Sequence, residues 1–517
     1  MQRYNILWAD DEIDLLKPHI MFLDKKGYDV IPVNSGSDAL EKFDSENFDI
    51  VFLDENMPGM TGLETLTRIK EIRPDLPVVM ITKSEEEHIM EEAIASKIAD
   101  YLIKPLNPNQ ILLSVKKILE NKRLVTEKTN LNYQQQFQQI SMVVNDYLDY
   151  KGWTEIYQKL VYWELELESN QYRQMKEILE MQKMEANSNF VKYVKGNYED
   201  WLNPNIEDKP VLSHTLLKEK VFPRLKNGTP TFFIIIDNLR FDQWKVIEPL
   251  ITEFFRIEFT ELYYSILPTT TAYARNAIFS GLLPLEMSMK YPDIWMNEDE
   301  EGGKNNHEED FLARHIKRLR MDTRISYQKI KNLNQGRNLV DNIYNLAHND
   351  LNVIVYNFVD MLSHARTEME IIRELAPDES AYRSLTRSWF QHSPLLEIIQ
   401  RIAEMDARLV ITTDHGTVRV KKPFRIIGDR NTNTNLRYKI GKNLNFEEER
   451  IYYTRSPEHI HLPKVNVSST YVFAVEDLFF AYPNNFNYYV NYYKDTFQHG
   501  GLSMEEMIIP IISLNSK

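Results

Sequence analysis

Five short apolar runs, at residues 5–9, 28–32, 50–54, 77–82 and 101–103, punctuate the N-terminal part of the chain, and amphipathic segments of helical spacing lie between them. No other feature constrains the fold as much. Five such βα units predict a parallel sheet with helices on both faces. A stretch of this length suits one small doubly wound domain. At 517 residues the whole chain is too long for a single hydrophobic core, so two or three domains are expected.

Sites in doubly wound sheets gather at the carboxyl ends of the strands. The first run ends in Asp10 and Asp11, the third in Asp54, the fourth in Thr82, and the fifth in Lys104 followed by Pro105. Three converging carboxylates repel one another and make a hard-cation pocket suited to Mg²⁺. An aspartate among them can accept a phosphoryl group, a lysine beside it can bind the phosphoryl oxygens, and a threonine can report its presence. Acidic residues also follow strands as plain helix N-caps. That would account for Asp10 alone, but not for so many residue types at matching strand ends. The pattern resembles the response regulator receiver family over residues 3–122, including the Met57-Pro58-Gly59-Met60-x-Gly62 turn and the Lys104-Pro105 pair. The resemblance implies that Asp54 is phosphorylated by a sensor histidine kinase. Asp10, Asp11, Asp54 and the Asn56 carbonyl would hold magnesium, Thr82 and Lys104 would contact the phosphoryl group, and Tyr101 would be the switch aromatic. It also implies a cis peptide bond before Pro105.

The middle of the chain changes character. Between Pro108 and Pro204 there is no proline, and glycine occurs only at 152 and 196. Bulky residues at helical spacing predict a small helical bundle over residues 123–204, with a plain spacer as the competing reading. No internal repeat is present. The chain has no cysteine, so disulfides are impossible and any zinc must be held by histidine and carboxylates. The early acidic residues argue against a signal peptide, and no apolar run is long enough to span a bilayer. A cytoplasmic protein is expected. The net charge of −15 argues against broad, non-specific DNA binding, and no helix-turn-helix signal stands out.

From residue 205 onward strongly apolar strands return, at 231–236, 352–359, 408–413, 470–475 and near the C-terminus, and they predict a second, larger α/β domain. The polar, glycine-bearing stretch 297–310 reads as an exposed loop. Acidic residues and histidines again follow the strands: Asp237; Asp360 with His364 four residues on; Asp414-His415-Gly416; and His499-Gly500-Gly501. Thr269, Thr270 and Thr271 stand just ahead of a helix-like run. The i, i+4 spacing of Asp360 and His364 can present both side chains on one helical face. The glycines after His415 and His499 allow close backbone approach. A lone Asp-His pair is usually an exposed turn; the ordered set is not explained that way.

That order resembles the alkaline phosphatase superfamily, and within it the PglZ-type domain, over residues 205–517. The resemblance implies two zinc ions, one held by Asp360, His364 and His499, the other by Asp237, Asp414, His415 and the nucleophile. Pro268-Thr269-x-Thr271 matches the superfamily's Pro-Thr-x-Thr pattern and points to Thr271 as nucleophile. Thr270 is the runner-up, and Thr269 is the member whose loss should matter least. Zinc would activate the threonine hydroxyl and stabilise the leaving oxygen. Arg275, one helical turn on, can bind a phosphoryl oxygen or serve as a structural ion pair. Residues 419–442 carry eight Lys/Arg against one acidic residue, Asp429, and read as a basic hairpin suited to a polyanion or simply solvated.

A receiver ahead of a PglZ-type domain resembles the response regulators linked to type IX secretion. It implies transcriptional control through a sigma factor, a zinc-dependent phosphodiesterase acting on nucleotide or oligonucleotide substrates, and a homodimer favoured by phosphorylation. Two alternatives stay open: a metal-bearing module that acts only by docking a partner such as a sigma factor, and a phosphomonoesterase or mutase with the same metal ligands.

Overall fold

The structure, a computed structural model, describes residues 3–83, 98–168, 173–225, 228–298, 300, 302–357, 359–360, 374–428, 432–464, 468–483 and 485–517, with side chains at all of these except 44, 120–131 and 173–174. The chain divides into two units, Met1–Gln136 and Phe137–Lys517.

The first unit is a five-stranded parallel sheet. Its strands are β1 Tyr4–Ala9, β2 Tyr28–Val33, β3 Ile50–Asp54, β4 Val78–Thr82 and β5 Asp100–Ile103, in the order β2-β1-β3-β4-β5. Strands β3 and β4 are buried throughout, as expected of parallel strands covered on both faces. Alternate side chains feed two cores: Leu7, Val51 and Leu53 on one face, Ile6, Trp8 and Phe52 on the other. The helices begin at chemical caps. Ser35 accepts the Asp38 amide, and Thr61 forms a reciprocal capping box with Glu64. Glycine at 62 lets the helix Gly62–Ile72 close on β3, because a Cβ there would lie 2.3 Å from the Asp54 carbonyl oxygen. The Lys104-Pro105 bond is cis, as the family resemblance implied.

The helix Pro108–Val144 carries the chain into the second unit, where the helices Tyr150–Glu166 and Arg173–Leu202 follow. Trp153, Tyr157, Leu160, Phe190 and Val194 bury their stripes. Beyond them lies a six-stranded mixed sheet of β6 Thr231–Ile236, β7 Phe255–Tyr264, β8 Ile325–Ile330, β9 Leu351–Tyr356, β10 Arg408–Thr412 and the final strand Ile508–Ser516. The order is β7, final strand, β10, β6, β9, β8. Strands β10, β6, β9 and β8 run parallel, and the final strand is antiparallel to both β10 and β7.

Two features go beyond the sequence reading and two expectations need correction. Strands β7 and β8 were not foreseen; they stand at the sheet edges and are only half-buried along most of their length, so they lack an unbroken apolar run. Strand Thr470–Phe473 belongs to a separate three-stranded sheet with Tyr438–Gly441 and Tyr452–Thr454. Stretch 297–310 is not simply an exposed loop: Glu298 accepts from Tyr438, and Glu308, 1% exposed, opens the helix Glu308–Arg318. Stretch 419–442 is not a hairpin. Its strands pair elsewhere, Val418–Arg419 with Phe497–Gln498 and Lys422–Arg425 with Leu478–Ala481. Among the described residues no helix is long and apolar enough to cross a membrane.

Candidate functional site

In the first unit, the parallel register of β1, β3, β4 and β5 brings the expected residues to one edge. Carboxylate oxygens of Asp10, Asp11 and Asp54 lie within 4.8 Å of one another. The Lys104 ammonium reaches between them, 2.9 Å from Asp10 and 3.0 Å from Asp54. Burial pushes the Asp54 carboxyl up to about 6, against the pull of Lys104. The fully buried Thr82 hydroxyl donates to Glu55, a partner the sequence did not single out. Tyr101 is half-buried against the core and Asn56 is exposed in the loop after β3. Three carboxylates of this kind fit a hard divalent cation.

The second unit gathers its site by the same geometry. Strands β6 and β10 pair in parallel with Ile235 opposite Thr412, so Asp237 and Asp414, each two residues further on, emerge level with each other. Donor atoms of Asp237, Asp414 and His415 lie within 4.8 Å of one another. The His415 Nδ1 faces the Gly416 carbonyl at 3.1 Å, which directs Nε2 into the cluster. Burial holds this imidazole down to about 4, so it is neutral at physiological pH and can serve as a ligand. Burial also raises Asp237 well above the usual carboxylate range despite Arg275. Asp414 faces the same burial, but the charges of His415 and Arg275 outweigh it and lower its pKa.

Of the three threonines only Thr271 faces this cluster. Its hydroxyl lies 3.3 Å from Asp237 Oδ1 and 3.1 Å from His415 Nε2. The Thr270 hydroxyl is buried without a hydrogen-bond partner among the described residues. Thr269, fully buried, donates to the Gly501 carbonyl at 2.8 Å and accepts from the Gly500 amide at 3.1 Å. The expectation that Thr269 is the indifferent member is therefore corrected, since it clamps the loop that carries His499. That loop is held a second time by the buried Glu506 carboxylate, which accepts from the Gly501 amide at 2.9 Å and pairs with Arg437 at 2.6 Å.

His499 stacks on His415, ring centroids 4.3 Å apart, and its Nε2 lies 3.5 Å from Asp360 Oδ1. Burial disfavours the charged imidazole, but the hydrogen bond to Asp360 prevails and raises the His499 pKa. Asp360 thus joins His499 beside the first cluster, whereas His364 lies outside the described residues. Asn238, unremarked in the sequence, adopts a left-handed φ of 65° and turns its backbone amide toward Asp414. An Asp-Asn pair after a strand was a usable signal, because asparagine tolerates that conformation.

Arg275 is 1% exposed. Its Nη1 lies 2.7 Å from Asp237 and its Nε 2.5 Å from Glu308, which is also held by Lys329 at 2.8 Å. This is the ion-pair arrangement, and it orients Asp237. The basic stretch is likewise partly interior. Arg437 is fully buried, and burial holds Lys439 down to about 7. A zinc ion fits the donor set of Asp237, Asp414, His415 and Thr271. The donors are carboxylate, imidazole and hydroxyl, and the buried Asp414 Oδ2 has no hydrogen-bond partner among the described residues.

Residues 216–514 match the family described as BREX system PglZ alkaline phosphatase-like domain, residues 123–202 the PorX response regulator linker domain, and residues 6–116 the response regulator receiver domain. The transcriptional regulatory protein ZraR of Klebsiella oxytoca is 37% identical over 123 residues, 24% of this chain and 28% of ZraR. ResD of Bacillus subtilis is 32% identical over 114 residues, 22% of this chain and 47% of ResD. The chain thus spans less than half the length of these relatives. The structure of chemotaxis protein CheY4 from Vibrio cholerae is 28% identical, covering 23% of this chain and 99% of that one with a TM-score of 0.22. A receiver domain implies magnesium binding and a histidine kinase partner. Since the PglZ match covers more than half of its residues, the chain belongs to the PglZ alkaline phosphatase-like family, with a response regulator receiver domain and a linker domain ahead of the PglZ domain.

Proposed function

We propose that the chain is a PorX-type response regulator of type IX secretion, in which phosphorylation of Asp54 controls a two-zinc phosphodiesterase. The placement of the Thr271 hydroxyl, within 3.3 Å of both Asp237 and His415, carries the enzymatic part of this reading. Asp237, Asp414, His415 and Thr271 would hold one zinc ion, and Asp360, His364 and His499 the other. When bound, zinc supplies activation of the hydroxyl and charge stabilisation at the departing oxygen. The Thr271 oxygen forms a bond to phosphorus as the bond from phosphorus to the departing alcohol breaks. The threonine proton passes to solvent, and the alcohol takes one up. Water then attacks the phosphorus of this threonine phosphodiester, the bond from phosphorus to Oγ1 breaks, a proton returns to Oγ1, and a phosphomonoester leaves. Arg275, engaged with Asp237 and Glu308, positions a ligand in this scheme and does not grip substrate. The kinase, a sigma factor as downstream partner, a phosphorylation-favoured homodimer, a cytoplasmic location and a nucleotide or oligonucleotide substrate complete the proposal. Elemental analysis together with turnover of a chromogenic phosphodiester tests it. About two zinc ions per chain and diester cleavage abolished by Thr271→Ala are expected; a zinc-free protein, or activity indifferent to Thr271, would overturn it.

A further inference from the structure

The helix Phe486–Tyr493 reads FNYYVNYY and carries four tyrosines in eight residues. Tyr488 is 65% exposed and Tyr489 38%. Their rings lie nearly parallel to those one turn on: Tyr488 and Tyr492 at 15°, Tyr489 and Tyr493 at 11°, each pair with centroids 6.2 Å apart. The helix is seated through Phe486, Val490 and Tyr493, which pack on Val418, Val420, Phe479 and Ala481. Exposed tyrosines in place of charged residues need a reason, and the local charge supplies one. Residues 482–494 contain no acidic residue, in a chain with 76 of them and a net charge of −15. Arg425 is exposed, lies 5.4 Å over the Phe486 ring, and has no carboxylate in ion-pair range among the described residues; the same is true of exposed Lys494 at the helix end. Arg425 belongs to the exposed remnant of the basic stretch 419–442, and the fold places it at the start of the tyrosine helix. Exposed Asn487 and Asn491 interleave with the tyrosines and offer donors and acceptors to base edges.

The platform is also tied to the metal-ligand strands. Val418–Arg419, two residues past Gly416, pairs with Phe497–Gln498, the residues just before His499. Tyr492 stands seven residues before His499, which limits their separation to about 25 Å even in extended chain. A short nucleic acid strand can bridge that span.

We propose that the tyrosine face of helix Phe486–Tyr493, with Arg425 and Lys494, is a stacking platform that binds the bases of a single-stranded oligonucleotide whose phosphodiester reaches the Thr271 site. Tyrosine faces take any base, while the two cations track phosphates and keep the platform sequence-tolerant. The inference rests on the phosphodiesterase reading, and the test separates the two. Anisotropy of fluorescein-labelled single-stranded DNA and RNA of one sequence is measured with the full chain in a Thr271→Ala background, so that the probe stays intact. Tyr488→Ala with Tyr489→Ala is expected to weaken binding about tenfold or more, and Tyr488→Phe with Tyr489→Phe to retain it, because stacking needs the ring and not the hydroxyl. Arg425→Ala should flatten the salt dependence. With Thr271 intact, the tyrosine variants should cleave a small chromogenic diester normally, since it does not reach the platform. Unchanged oligonucleotide affinity in the double alanine variant overturns the platform, as does a fall in sedimenting mass with affinity unchanged, which would make this face a self-association surface. Absence of chromogenic diester cleavage by the unmodified chain would instead overturn the phosphodiesterase reading.

Discussion

Replacing Thr269 with valine keeps the shape of the side chain and removes one hydroxyl. That hydroxyl donates to the Gly501 carbonyl and accepts from the Gly500 amide, and all three residues are buried. A buried polar group left without its partner costs about 1–3 kcal/mol. The Gly501 carbonyl keeps a second lone pair for other partners and falls at the low end, whereas the Gly500 amide has a single proton and falls higher. The total comes to about 2–4 kcal/mol, a sizeable share of the 5–15 kcal/mol typical of a folded domain. Thr270→Val is the matched control: its hydroxyl is buried without a partner among the described residues, so its removal is expected to be neutral or mildly stabilising. Urea unfolding of the full chain, followed by tryptophan fluorescence, reads both. Zinc content gives a second readout, because the clamp holds the loop that carries His499, and Thr269→Val should lose metal more readily to a weak chelator. A Thr269→Val variant as stable as the parent, with Thr270→Val destabilised, would refute the assignment of the clamp.

Thr271→Ala is expected to fold normally and to lose diester turnover by about three orders of magnitude, measured beside Thr270→Val, which should stay active. Glu308→Gln leaves buried Arg275 and half-buried Lys329 short of a charge, and a fall of about 3–5 kcal/mol is expected in denaturant unfolding. His315 is 1% exposed, its Nδ1 lies 3.0 Å from the Phe279 carbonyl, and burial followed by nearby Arg318 holds it down to about 4. The unfolded chain therefore takes up this proton first, so the stabilising contribution is complete above about pH 6.5 and is lost as pH falls toward 4. Roughly 2 kcal/mol should disappear between pH 7 and pH 5 and be spared in His315→Gln, as read by unfolding at the two pH values. Acetyl phosphate with Mg²⁺ should add one phosphoryl group to the chain and none to Asp54→Asn, as seen by intact mass.

The sequence alone determined which residues stand at the strand ends as candidates for chemistry. Asp10, Asp54, Thr82, Asp237 and Asp414 each close or follow a strand buried over most of its length, and Lys104 follows the half-buried β5. Burial on both faces makes parallel strands continuous apolar runs, so their ends are visible from composition alone. Edge strands β7 and β8 escaped because half-buried strands carry polar residues, and the period is blurred. The choice of Thr271 over Thr270 rested on the family's Pro-Thr-x-Thr pattern and not on physics, since consecutive side chains of one type differ only in direction, and direction belongs to the backbone. The fold turned Thr271 to Asp237, buried Thr270, and bound Thr269 to the His499 loop. It likewise decided between the two roles open to Arg275 by placing Glu308, 33 residues away, against its guanidinium. Charge in a linear sequence carries no depth. Arg437 and Arg425 lie in the same basic stretch, yet one is enclosed against Glu506 and the other faces solvent beside a row of tyrosines. Only tertiary packing separates a cation that builds the site from one that stays in solvent, because the cost of removing charge from water is set by neighbours that the chain brings together from afar.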